Sequence, residues 1–360
     1  MIDCPLLRTV DGSPTDYWND SCAVDELVYA IERGATGATS NPAIVVEVFR
    51  RQQADWAPRV LALMAAHPTA GEAELAWVIV EEMAARGAAV LAPIFEREHG
   101  RKGRLSVQTN PALYRDPDAM VAHGIRLAAA APNIQVKFPV TNAGLVAIEE
   151  ATARGVTITA TVSFTVAQAV AAAEAVERGL RRREAAGGDT STMAPVVVLM
   201  IGRLDDWMKA IVERDRLAPD PGALDWAGIA VFKRSYELFR ERGYRSRLLA
   251  AAYRHRLHWT ELVGGDVILT IPHAWQLRFN ASGLEPRPRI DVPVESAIVA
   301  ELCGHLADFR RAYEPDGLTA DEFDGYGATV RTMRSFITAY HELTGAIRDV
   351  MLPNPELRAG

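Results

Sequence analysis

Eight short apolar runs, each separated from the next by a longer stretch of helical spacing, constrain this chain more than any other feature. The runs cover residues 16–19, 35–39, 104–109, 133–140, 156–164, 195–201, 246–253 and 266–271. Helical patterns occupy the intervals, for example residues 23–33, 72–92, 117–130, 143–154, 166–183 and 226–242. Strands that alternate with helices pair in parallel, and eight of them close a (β/α)8 barrel. The expected fold is therefore α/β, a TIM barrel over about residues 15–285. Helical tails at 293–313 and 319–351 make a C-terminal extension over 286–360, and the whole of 1–360 reads as one domain. The loops at 185–194 and 218–222 fall between barrel elements and read as insertions, not as domain boundaries.

Several strands alternate in polarity. Ile134, Val136 and Phe138 share one face, and Gln135 and Lys137 share the other. Thr157, Thr159, Thr161 and Ser163 lie opposite an apolar face, as Ser106 and Gln108 lie opposite Leu105 and Val107. The outer face of a barrel strand packs under helices and must be apolar, so the polar set points inward. Such barrels carry their chemistry at the C-terminal ends of these strands.

Lys137 is then an ammonium aimed into the barrel, which is costly unless it is paired or loses its proton. Lysine can lose its proton on burial where arginine cannot, and a neutral amine adds to a carbonyl to form a Schiff base. The alternative is a lysine whose stem lies along the strand while its head reaches water. Of the 39 basic side chains in 360 residues, only Lys102, Lys137, Lys209 and Lys233 are lysines. Lys102, Lys209 and Lys233 read as solvated positions that arginine would fill equally well.

Two segments resemble signatures of the transaldolase family. Thr39-Ser40-Asn41-Pro42, within residues 34–44, is similar to the first, and Asn133-Ile134-Gln135-Val136-Lys137-Phe138-Pro139 to the one that holds the Schiff-base lysine. Thr161-Val162-Ser163-Phe164, Gly202-Arg203-Leu204-Asp205 and Ala251-Ala252-Tyr253-Arg254 resemble later segments of that family in the same order. The likeness spans about residues 17–271, followed by a helical region like that of the longer bacterial members.

The resemblance implies a transferase that moves a dihydroxyacetone-type unit, with no cofactor and no metal. The donor would be a ketose of the sedoheptulose 7-phosphate or fructose 6-phosphate class and the acceptor an aldose phosphate, as in the pentose phosphate pathway. By position, Lys137 would form the imine and Asp20 would act as acid and base. Thr161 would place the catalytic water, Asn41 would bind a donor hydroxyl, and Arg203 and Arg254 would clamp the phosphate. Each has a plainer reading beside this one. Asp20 suits an Asx-turn, Asn41-Pro42 suits a turn, and Arg203 suits an ion pair with Asp205.

Two departures bear on specificity. The family's usual strand 3 glutamate, which helps activate water, is here Gln108, an amide that can place a water but cannot take its proton. Related fructose-6-phosphate aldolases carry glutamine there. The family's strand 6 serine, which contacts the donor's terminal hydroxyl, corresponds to Val198, with Met200 where an aromatic is usual. That wall is expected to be apolar, so that either the donor is not the ordinary dihydroxyacetone unit or its affinity is weakened. An aldolase of the fructose-6-phosphate type is the second reading, and a non-catalytic sugar-phosphate binder is the third.

Other features narrow the class. A net charge of −7 provides no basic field for nucleic acid. No apolar run is long enough to span a membrane, and the first residues lack the basic and apolar regions of a signal peptide. Cys4, Cys22 and Cys303 form no disulfide framework. The expected setting is the cytoplasm, with small sugar phosphates as partners; a homodimer is compatible with it. His255, His258 and Glu261 recur at spacing three, and on a helix that row would spread over about 9 Å, too far to meet one ion. It reads as a solvated face, as does the cluster Arg178, Arg181, Arg182 and Arg183.

Overall fold

The computed structural model describes residues 2–356. Met1 and residues 357–360, included in the expected 1–360 unit, lie outside the described residues. The eight strands are β1 (Asp16–Asn19), β2 (Gly37–Thr39), β3 (Arg104–Gln108), β4 (Ile134–Pro139), β5 (Ile158–Thr161), β6 (Val196–Leu199), β7 (Arg247–Ala250) and β8 (Val267–Ile271). They close into a barrel in sequence order, all parallel, with β8 returning to β1 from Asp16↔Ile268 to Asn19↔Ile271. The fold is the expected (β/α)8 barrel with additional C-terminal helices.

The polarity of the strands decides their two faces. Ser106 and Thr159 hydroxyls meet at 2.8 Å, and those of Thr39 and Thr270 at 2.6 Å. Each pair joins strands that are not neighbours, which is possible only across the interior. Gln135 fills the same interior, donating to the carbonyls of Ile158 at 2.8 Å and Ala194 at 3.1 Å. Ile134, Val136 and Phe138 are buried under the helices outside. The loop at 185–194 helps seal the N-terminal end of the barrel, since Arg104 also donates to the Thr192 carbonyl at 2.8 Å.

The strands are shorter than the apolar runs. The run 156–164 stops as a strand at Thr161, because Val162 takes a left-handed backbone (φ 57°) that re-aims the chain. The helix expected at 72–92 continues through Pro93 to Arg97. Proline there removes one intrahelical hydrogen bond, and ten buried residues along the helix hold it against the barrel. The tail at 293–313 divides into Ser296–His305 and Ala307–Tyr313, parted by the extended Leu306. A 3-10 turn, Ala320–Gly325, then precedes the long helix Gly327–Met351. That last helix packs against Pro42–Arg51, Gln53–Ala66, Glu72–Arg97 and Ile201–Asp215.

The lysines correct the solvated reading in two places. Lys233 is buried, and its Nζ donates to Glu261 Oε2 at 3.1 Å and to the carbonyls of Arg289 at 3.0 Å and Val292 at 2.7 Å. A compact ammonium with three donors fits this closed nest, where a planar guanidinium would not. Lys102 is half-buried against Asp16 at 2.7 Å. Lys209 is exposed, beside Asp225. Arg178 and Arg182 are exposed and pair with Glu149 and Glu150 on the neighbouring helix.

Candidate active site

A cavity of about 500 Å³ opens at the C-terminal ends of the strands. Asp20, Asn41, Lys137, Thr161, Val198, Met200, Arg203 and Arg254 all line it, so eight of the nine expected site residues meet in one space. Gln108 does not line it. It stands in register with Lys137 but borders a separate small hollow with Trp77 and Tyr340, and its Oε1 is buried without a protein partner. Asn41 borders both spaces.

Lys137 projects inward from β4 and is buried. Its Nζ donates to the Ser40 carbonyl oxygen at 2.9 Å. Burial pushes its pKa down to about 8, Asp20 opposes the shift, and the positive charge of Arg203 adds to it. Asp20 follows β1 and accepts a hydrogen bond from Thr39 Oγ1 at 2.7 Å. Burial raises its pKa, and the charge of Lys137 pulls in the other direction. A carboxyl made easier to protonate beside an amine made easier to deprotonate is suited to proton transfer near neutral pH.

Asn41 serves two purposes. Its Oδ1 caps the helix Pro42–Arg51 through the N–H groups of Ala43 at 2.9 Å and Ile44 at 3.1 Å. The turn reading of Asn41-Pro42 therefore holds, and among the described residues Nδ2 has no partner beside the cavity. Opposite this polar side, Val198 of β6, Leu249 of β7, Met200 and Ala251 form a continuous apolar wall.

The arginines differ in how they are held. Arg254 is gripped by Asp206, with Nε at 3.0 Å and Nη2 at 2.7 Å from Oδ2. Its backbone N–H donates to His258 Nδ1 at 3.1 Å. The turn leading to Arg254 passes through Ala252 at φ 68° and presses on Gly202, where a Cβ would lie 1.8 Å from the Ala252 carbonyl. Only glycine permits that approach. Arg203 is half-buried and has no carboxylate partner among the described residues, so the plainer reading of an ion pair with Asp205 does not hold. Asp205 instead accepts from His258 Nε2 at 2.8 Å, and His255 Nε2 lies 3.3 Å away.

His255 and His258 thus lie on a turn and the short helix Leu257–Thr260, not on one helical row. Glu261 faces elsewhere, toward Lys233 and Arg289. Three potential metal-ligand atoms do converge, from Asp205, His255 and His258. The hydrogen bonding is against a metal there. His258 Nδ1 faces an N–H and must accept, so neutral His258 carries its proton on Nε2, the atom a metal would need bare.

Other residues at the mouth had no periodic signal in the sequence. Glu26 and Arg51, from the helices after β1 and β2, are hydrogen-bonded to each other, and Glu47 and His273 also line the cavity. Thr270 was within reach of strand parity, because it alternates with Leu269 and Ile271 on β8. Tyr253 is fully buried with its hydroxyl unpartnered, and the nearby Asp20 charge helps raise its pKa.

A closed parallel barrel whose mouth joins a buried lysine, a carboxylate and two arginines defines an aldolase-type enzyme. The chain belongs to the family described as Transaldolase/Fructose-6-phosphate aldolase, which matches residues 17–312. It is similar to the transaldolase of Thiobacillus denitrificans, 28% identical over 315 residues, which cover 78% of this chain and 82% of the relative. The transaldolase of Parafrankia sp. is 26% identical over 336 residues, 84% of this chain and 88% of the relative. That of Neisseria meningitidis is 29% identical over 265 residues, 69% and 74% respectively. No helix among the described residues is long and apolar enough to cross a membrane.

Proposed function

We propose that the chain is a transaldolase-type transferase acting through a Schiff base on Lys137, within a single unit built of barrel and C-terminal extension. The neutral amine adds to the C2 carbonyl of a phosphorylated ketose and loses water to give an iminium. The Asp20 carboxylate takes the proton of the C4 hydroxyl, the C3–C4 bond breaks, and its electron pair flows into the iminium to give an enamine. An aldose leaves. The enamine carbon then attacks an acceptor aldehyde, Asp20 returns its proton to the new alkoxide, and water adds to the iminium to free the product. Thr161, which lines the cavity, holds that water, and Asn41 Nδ2 is available to a donor hydroxyl. Arg203 and Arg254 receive the phosphate.

The observation that carries this reading is the buried Lys137 amine, held at the cavity floor by a carbonyl instead of a carboxylate and shifted to about 8. The apolar wall of Val198, Met200, Leu249 and Ala251 favours a donor unit less hydroxylated than dihydroxyacetone. Gln108, outside the cavity, is given no proton-transfer step. The absence of a carboxylate at that position favours, as a second reading, an aldolase that releases its three-carbon fragment without an acceptor.

Borohydride trapping followed by mass spectrometry tests the proposal. Incubation with fructose 6-phosphate, sedoheptulose 7-phosphate or a hydroxyketone is expected to leave a reduced adduct on Lys137, absent in Lys137→Met. No adduct with any of them overturns both enzymatic readings in favour of a sugar-phosphate binder. Product formation that requires an aldose phosphate acceptor separates the transferase from the aldolase.

A further inference from the structure

Arg203 stands at the cavity with no carboxylate in hydrogen-bond contact among the described residues. Its guanidinium is largely withdrawn from water, pairs with no carboxylate, and has its pKa lowered by burial and by neighbouring Arg254. What holds it comes from outside the barrel. Thr332 Oγ1 accepts a long hydrogen bond from Arg203 Nη1 at 3.4 Å, and the Phe336 ring centroid lies 5.0 Å from Arg203 Cζ. Thr332 and Phe336 are one helical turn apart on the buried face of Gly327–Met351. The residue before them, Arg331, donates to the Asp206 carbonyl at 3.3 Å, and the Asp206 carboxylate grips Arg254. One turn of the C-terminal helix therefore touches Arg203 directly and is linked to Arg254 through Asp206.

The helix has its own anchors, separate from these contacts. Gly327 packs flat on Trp207, where a Cβ would lie 2.0 Å from the ring. Trp207 Nε1 donates to Asp308 at 2.8 Å, and the Tyr326 hydroxyl donates to the Asp308 carbonyl at 3.1 Å. Thr329 meets Gln168 Nε2 at 3.2 Å, and Gln168 also donates to the Val140 carbonyl at 3.1 Å. The segment thus bridges the ends of strands β4 to β6. An arginine has many rotamers, and one that must receive an anion gains from losing that freedom beforehand.

We infer that Thr332 and Phe336 are positioning residues for Arg203, so that the C-terminal helix is part of the anion-binding half of the active site. The acceptor and the aromatic face hold the guanidinium while leaving its remaining donors toward the cavity, and neither neutralises its charge. The inference rests on the reading of Arg203 as a phosphate ligand.

The test uses the full chain, with Thr332→Val, Thr332→Ser, Phe336→Leu and Arg203→Gln. Two quantities are read: the inhibition constant of inorganic phosphate, and the ratio of KM for fructose 6-phosphate to KM for fructose or dihydroxyacetone. Thr332→Val and Phe336→Leu are expected to raise both by about 3–10-fold, with kcat changed far less, and Thr332→Ser to restore them. Equal losses on phosphorylated and unphosphorylated substrates mean a merely structural role and overturn the inference. So does an unchanged phosphate constant in both variants when Arg203→Gln loses phosphate inhibition. If Arg203→Gln itself leaves phosphate inhibition intact, the underlying assignment of Arg203 fails and the inference falls with it.

Discussion

Lys137 Nζ lies 2.9 Å from the Ser40 carbonyl oxygen and forms no ion pair with Asp20. A carbonyl stabilises the ammonium less than a carboxylate in contact would, and burial then lowers the pKa to about 8. The rate of borohydride-trappable adduct formation should therefore climb with pH to a plateau above about 8. Asp20 raises the Lys137 pKa, so Asp20→Asn should move that limb to lower pH while reducing turnover by about 100-fold or more. Trapping rates across pH with both proteins decide it; a limb that stays in place or moves to higher pH contradicts the coupling.

The same shift carries a stability cost with a definite sign. The folded pKa of about 8 lies below the usual 10.5, so the unfolded chain binds this proton more readily between those values. The cost is complete below pH 8 and disappears as pH rises toward 10.5. In size it corresponds to about 3 kcal/mol. Lys137→Met, close in shape and uncharged, should be more stable than the parent by about 1–3 kcal/mol near pH 7, converging with it toward pH 10.5. Urea denaturation at the two pH values measures the difference.

Val198 sits in an apolar wall where a hydroxyl would meet only methyl groups. Val198→Ser replaces one methyl by a hydroxyl and removes the other, which supplies one donor and acceptor. It should improve kcat/KM on dihydroxyacetone-type donors by about 3–10-fold. Activity on such donors that is unchanged or worse would show that the wall does not face the donor's terminal carbon.

His258 is fully buried between Asp205 and the Arg254 N–H. His258→Phe strips a buried carboxylate of one of its two 2.8 Å hydrogen bonds and leaves an N–H unpaired. It should cost about 2–4 kcal/mol in thermal or urea unfolding. Because Nε2 carries the proton, adding Zn²⁺ to the parent protein should leave the Tm where it was. A Zn²⁺-dependent rise in Tm that Asp205→Asn removes would show that the imidazole adopts the other tautomer.

Much of this architecture could be read from the chain because barrel strands alternate. Gln135 and Lys137 could be placed inside, and Ile134 and Phe138 outside, without any coordinates, since the outer face must meet helices. The parity failed where the backbone left the strand. Val162 turns left-handed, so Ser163 does not extend the face of Thr157 to Thr161. Gln108 kept its place in the strand, yet its amide opens on another space, the small hollow that Asn41 and Tyr340 also line.

Residues brought together by long connections were not legible. Lys233 read as solvated because helical spacing says nothing of the segment near Arg289 that folds over it. Arg203 and Asp205 looked like partners from their spacing, but Asp205 meets two histidines some fifty positions later. Thr332 and Phe336 carried no signal at all, since only the packing of the last helix brings them to Arg203.

The sequence by itself carried the eightfold strand–helix alternation, the inward faces of β3, β4 and β5, and the reading of Lys137 as the lysine aimed into the barrel. These follow from local period, from the apolar demand of a helix-covered surface, and from the fact that only an amine can be deprotonated by burial. Tertiary structure alone decided which charges neutralise one another, which space each polar tip enters, and that the C-terminal helix reaches Arg203. Those outcomes depend on a few ångströms between segments far apart in the chain, and no local pattern encodes such distances.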